Sequence, residues 1–173
     1  MPKYPSLILY RGDEMKLETR NFGEIEIFEE DVINFREGLP GFPKDKQYVI
    51  LSDENSPVSF LQSVDGGDVS FVVVDMLAFM PDYNPRVDES FLEDLGVYNP
   101  ANFEIYNIAT IFDNLKDSTV NLKAPIVVNA MDKIGKQVVC DNEEYSVKAA
   151  LFGYVDAEAA FQKGANKNVS IDA

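Results

Sequence analysis

Side chains able to do covalent or acid–base chemistry are scarce in this 173-residue chain, which has no His and a single Cys, Cys140. Without imidazole, no Ser-His-Asp or Cys-His arrangement can form, and histidine metal ligation is closed as well. One cysteine makes no intramolecular disulfide and lacks the paired spacing of a zinc site, which fits a reducing compartment. Carboxylates are plentiful but poorly arranged for catalysis. Glu93-Asp94 and Glu143-Glu144 are neighbours in sequence, whereas a general acid and base must converge on one cleft. Asp65 and Asp68 offer oxygen ligands, yet their spacing is not that of a calcium loop. Gly135-Lys136 is not a phosphate-binding loop, because Ala130 replaces the upstream glycine and Gln137 the following hydroxyl. No catalytic residue, cofactor or metal is expected.

What remains is charge. The chain carries 30 Asp and Glu against 15 Lys and Arg, a formal charge of −15. Twelve of the acidic residues lie between Gln47 and Leu115, with Arg86 the one cation in that window. Such a surface repels nucleic acid and anionic lipid, and it steers basic proteins toward itself. The plainer reading is that the acidic residues keep the protein soluble. The short apolar stretch Leu7-Ile8-Leu9-Tyr10 is too brief for a signal-peptide core or a membrane span. A soluble, cytoplasmic protein is expected.

The elements that must hold these charges read as strands, since apolar residues recur with period two. Ile25 and Ile27 alternate with Glu24 and Glu26 after the turn-like Asn21-Phe22-Gly23. Tyr48–Leu51, Phe60–Val64 and Val69–Asp75 are β-rich, the last two joined across Asp65-Gly66-Gly67-Asp68, which predicts a hairpin. The run from Ile105 to Phe112 is apolar on both faces and predicts a central strand. Val120, Leu122, Ala124, Ile126 and Val128 share one face of a predicted nine-residue strand, with Pro125 demanding an edge or a bulge. Lys136–Cys140 and Tyr145–Leu151 flank a hairpin-like Asp141–Glu144 connection. Asn84-Pro85 opens a predicted short helix through Val87, Phe91, Leu92 and Leu95, ended by Gly96. Asp156–Lys163 is either a second helix or a frayed tail. About eight strands in one domain of this length predict an all-β, antiparallel barrel-like or sandwich fold with one short helix.

Twelve Phe and eight Tyr have mostly acidic neighbours, so core packing explains them better than base stacking. Gln62, Ser63, Asn121 and Asn129 interrupt apolar strands. Either their side chains bond loop backbone, or they contact a partner.

Several segments together carry a family resemblance. Gly38-Leu39-Pro40-Gly41-Phe42, Ser56-Pro57 followed by Phe60-Leu61-Gln62-Ser63-Val64, Phe71-Val72-Val73-Val74-Asp75, Pro81-Asp82-Tyr83, the run Thr119 to Asn129, and Gly135-Lys136-Gln137 resemble the flagellar assembly factor FliW. The similarity spans about Lys16 to Leu151. It divides the chain into an N-terminal extension (1–14), a β-barrel-like domain (15–151) and a C-terminal tail (152–173), with Met15 as an alternative start. Met76 departs from the Pro that the family often has after the Asp.

The resemblance implies a monomeric, non-catalytic cytoplasmic protein that binds the translational repressor CsrA and also flagellin. Partner switching would follow: secretion of flagellin frees the factor to bind CsrA away from its RNA surface and relieve repression of flagellin translation. A flagellin secretion chaperone without a regulatory target is the alternative. The matching motifs nominate Phe42, Phe60, Gln62, Asp75, Asp82, Tyr83, Asn121 and Asn129 as the protein-binding residues.

Overall fold

The computed structural model describes residues 12–56, 58–96 and 99–153. The 154–173 segment, with the possible helix at Asp156–Lys163, lies outside them, as do residues 1–11.

Eleven short strands appear among the described residues: β1 (Glu14–Thr19), β2 (Gly23–Phe28), β3 (Ile33–Asn34), β4 (Gln47–Ser52), β5 (Val58–Ser63), β6 (Ser70–Val74), β7 (Phe103–Thr110), β8 (Thr119–Val120), β9 (Ile126–Asn129), β10 (Ile134–Gln137) and β11 (Ala149–Ala150). Two helical turns, α1 (Met76–Phe79) and α2 (Glu89–Leu92), lie between β6 and β7. No described helix is long and apolar enough to cross a membrane.

Strands β3-β4-β5-β6-β7-β9-β10 close into a seven-stranded barrel, β7 pairing β9 and β10 pairing β3. Its interior is filled by Ile33, Phe35, Leu39, Tyr48, Leu61, Val73, Ile126 and Val128. Every pairing is antiparallel except β3 with β10, a single register pair, Ile134↔Asn34. The β1–β2 hairpin forms its own two-stranded sheet and lays Ile27 and its neighbours over the outer face of β4 at Val49. Its tip is tied down by Arg20 N–H donating to Gly67 O. β1 begins at Glu14, opposite Phe28, so the folded part starts within the extension expected at 1–14.

A second core lies outside the barrel. Met76, Phe79 and Tyr83 pack there against Val74, Ala109, Val120, Leu122 and Leu151. At about 25 cal/mol per Å² of apolar surface removed from water, a fully buried Leu or Met stabilises by about 1.5–3 kcal/mol. This layer therefore holds the 75–96 segment against the barrel wall.

Three expectations are corrected. The nine-residue strand ending at Val128 is interrupted. Val120 opposes Ala109 and Ile126 opposes Tyr106, so six steps along one chain face three along the other. The surplus loops out at 121–125, with Pro125 at its end, as a wide bulge rather than a sheet edge. The hairpin expected around Asp141–Glu144 is also absent. Residues 138–148 instead wrap the bulge: Val138 N–H donates to Pro125 O, Cys140 N–H to Lys123 O, and Leu122 N–H to Ser146 O. The predicted helix starts later than Asn84-Pro85, because Asp88 is its cap, with Oδ1 accepting from Ser90 N–H at 2.8 Å.

Candidate protein-binding surface

The loop from β6 to β7 carries most of the acidic window's exposed charge. Asp75 Oδ1 accepts from Leu77 N–H at 3.0 Å and caps α1, which turns the chain and drives Met76 and Phe79 inward. Tyr83 follows, buried, its hydroxyl donating to Leu122 O at 2.9 Å and accepting from Asn107 Nδ2 at 2.9 Å. Burial pushes this phenol well above its usual range, so it stays a neutral donor. Next, Asn142 clamps the backbone: its Oδ1 accepts from Arg86 N–H at 2.6 Å and its Nδ2 donates to Asn84 O at 3.3 Å. Leu95 is fully buried at the far end, where Asn129 Nδ2 donates to its carbonyl at 2.8 Å.

With its inner side fixed in this way, the segment presents Asp75, Asp82, Asp88, Glu89, Glu93 and Asp94 to solvent. Two apolar side chains stand among them, Leu77 at 47% exposure and Phe91 at 41%. Asp88 is held below the usual carboxylate range by the Ser90 hydrogen bonds. Asp94 is lowered by its 2.9 Å hydrogen bond with Lys136 and that ammonium's charge. Both stay ionised near neutral pH. An exposed array of six carboxylates, with Arg86 the one cation among them, is suited to guiding a basic protein, while the apolar spots supply contact area on arrival.

The nominated residues separate. Asp75 and Asp82 belong to this surface. Phe42 is 38% exposed, but it stacks edge-on against Phe71 at 5.1 Å. Phe71 and Asp75 are four residues apart along β6, about 13 Å at 3.3 Å per residue, so Phe42 lies toward the opposite end of the strand. Phe60 packs edge-on against Phe22 of the β1–β2 tip at 5.0 Å.

Gln62, Tyr83 and Asn129 are buried and leave almost no surface exposed. Gln62 Nε2 donates to Ser63 O and Gly67 O, each at 3.0 Å, bracing the β5–β6 turn. Asn129 Oδ1 accepts from Met131 and Asp132 N–H, each at 3.1 Å, fixing the β9–β10 turn. Asn121 Oδ1 accepts from Ala124 N–H at 2.9 Å and shapes the bulge. These bonds go mainly to the chain's own backbone, the first of the two readings open for them. Leu77 and Phe91 were not nominated, although their apolar side chains amid Asp and Glu gave the sequence signal for them.

Among the described residues, no group of three Asp, Glu, Cys or His could hold a metal ion. Fold and surface together define a small β-barrel domain with an acidic face. The FliW protein family model matches residues 16–151. The flagellar assembly factor FliW of Geobacillus kaustophilus (strain HTA426) is 40% identical over 138 residues, covering 80% of this chain and 96% of that protein. Its counterpart in Thermoanaerobacter pseudethanolicus (strain ATCC 33223 / 39E) is 41% identical over 136 residues, 78% of this chain and 91% of that one. A crystal structure of the flagellar assembly factor FliW matches with a TM-score of 0.73 at 37% identity, covering 79% of this chain and 96% of that chain. The chain belongs to the FliW family.

Proposed function

We propose that this protein acts in the cytoplasm by binding, in turn, flagellin and the translational repressor CsrA, so that flagellin export frees it to relieve repression. The observation that carries the reading is the acidic, apolar-studded surface of residues 75–95, held in place by buried bonds on its inner side. A basic RNA-binding protein is the partner such a field attracts. The family supplies the flagellar setting: its members carry the name flagellar assembly factor. The protein itself works without turnover, as a monomer, and touches neither nucleic acid nor membrane.

The test is a titration of purified CsrA bound to its target RNA, with and without flagellin. Release of RNA on adding this protein, reversed by flagellin, supports partner switching. Binding of flagellin with no effect on CsrA would leave a secretion chaperone instead.

A further inference from the structure

Hydrogen bonds hold every residue of the β9–β10 turn, 130–133. Ala130 N–H donates to Asn102 O and Asn34 N–H to Lys133 O, each at 2.8 Å. Between them, Asn129 Oδ1 accepts from the N–H groups of Met131 and Asp132. Lys133 stands at φ 54°, in the left-handed region that residues other than glycine seldom adopt. What this fixed turn holds out is apolar. Met131 is 71% exposed, the most exposed large apolar side chain among the described residues. Turns elsewhere show the contrast. At β1–β2 the apolar side chain, Phe22, folds back onto Phe60 at 5.0 Å, and the β5–β6 tip is Asp65-Gly66-Gly67-Asp68.

The turn is also joined to the end of the acidic segment. Asn129 Nδ2 donates to Leu95 O at 2.8 Å and to Asp132 Oδ2 at 2.9 Å, and a Cβ on Gly96 would collide with the Asp132 carboxylate. Farther along the same hairpin, Lys136 bonds Asp94 at 2.9 Å, and its ammonium stands 5.6 Å from the centre of the Phe91 ring. The β9–β10 hairpin therefore supports the 91–96 end of the face and continues it to Met131.

We infer that the β9–β10 turn is part of the docking surface, with Met131 as its apolar anchor. The inference rests on the reading of residues 75–95 as the face that meets a basic protein, and it names a contact beyond them. The tip itself is nearly balanced in charge, Asp132 beside Lys133, so it adds contact rather than steering. Its occupant is the same basic partner that the carboxylates attract, which offers the thioether an apolar recess bordered by its own cations. Methionine suits this role, because an unbranched, polarisable side chain adapts to the recess it meets. An apolar anchor ringed by polar groups sets how long a complex lasts, whereas rim charges set how fast it forms.

The experiment measures association and dissociation of purified CsrA with the native full chain and with Met131→Leu, Met131→Ala and Met131→Glu. An exposed position should leave the stability of all three variants native, which urea unfolding checks. Met131→Ala should dissociate about tenfold faster at an unchanged association rate, and Met131→Leu should stay within about twofold of native. Met131→Glu separates contact from charge. It adds a negative charge, so it would bind a basic protein more tightly if charge alone mattered, whereas an anchor predicts weaker binding through faster dissociation. Dilute peroxide reads the contact directly: in the free protein Met131 should oxidise far faster than the buried Met76, and CsrA should slow that oxidation about tenfold. A native dissociation rate for Met131→Ala, tighter binding of Met131→Glu, or unslowed oxidation of Met131 in the complex would each overturn the inference while leaving the acidic face untouched. No binding of CsrA by the native chain would defeat the reading of that face, and this inference with it.

Discussion

The inner and outer sides of residues 75–96 differ in what they do with the same composition. Inward, Met76, Phe79 and Leu95 are buried, and Tyr83 spends its hydroxyl on Leu122 and Asn107. Outward, among the described residues, the six carboxylates and two apolar side chains make few bonds to the rest of the chain: the local caps at Asp75 and Asp88, the Asp94–Lys136 pair, and the Lys136 ammonium 5.6 Å from the centre of the Phe91 ring. The lesson is a division of labour. Buried polar groups make the loop rigid enough for exposed charges to keep one arrangement, which is what lets a field guide a partner.

Substitutions on the two sides should therefore fail differently. The largest effect is expected inside: Leu95→Ala empties a fully buried position and should cost about 2–5 kcal/mol in urea unfolding. A loss below about 1 kcal/mol would show that the inner side does not anchor the segment. Next, Tyr83→Phe removes a hydroxyl that joins two elements and should cost about 1–3 kcal/mol, because Asn107 and Leu122 lose a buried partner. Outside, Asp82→Lys should leave stability within about 0.5 kcal/mol while slowing association with CsrA at low salt. A large stability loss there would erase the contrast between the two sides.

The smallest effect concerns acid. Asp88 and Asp94 have folded pKa values below their unfolded ones, so each contributes stability that is present above the unfolded value and lost as pH falls through the folded one. Asp94→Asn should therefore flatten slightly the acid limb of stability against pH, below about pH 4. Both groups are exposed, so the change is small, and an unchanged acid limb would show that the Lys136 pair is structurally idle.

Much of the barrel was legible because its strands obey period two. Ile25 and Ile27 against Glu24 and Glu26 gave β2, and the glycines between Asp65 and Asp68 gave the β5–β6 turn. The interruption at 121–125 was legible only in part: Pro125 called for an edge or a bulge, but Leu122 and Ala124 keep the alternation. What breaks the ladder is tertiary: Tyr83 claims Leu122 O, and Asn121 closes on Ala124 N–H. The two helical turns are too short to show a helical period, although Asp75 and Asp88 had the right type for caps.

The acidic window was plain in the composition, but its split into an inner and an outer side needed the fold. Gln62 and Asn129 show the limit from the other direction. A polar residue beside a turn braces that turn as readily as it meets a partner, and only burial decides between the two. The β3–β10 junction was illegible for a topological reason: it pairs Asn34 with Ile134 in parallel across about a hundred residues of chain.

The central claim is that the outer face of 75–95 guides a basic partner. Its most direct test is the association rate with purified CsrA as a function of ionic strength, for the native chain and for Asp82→Lys/Asp88→Lys/Glu93→Lys. The native rate should fall steeply with added salt. The variant should keep the native fold, associate more slowly at low salt, show a flattened salt dependence and converge on the native rate at high salt. Superimposable rates at every ionic strength would contradict the account.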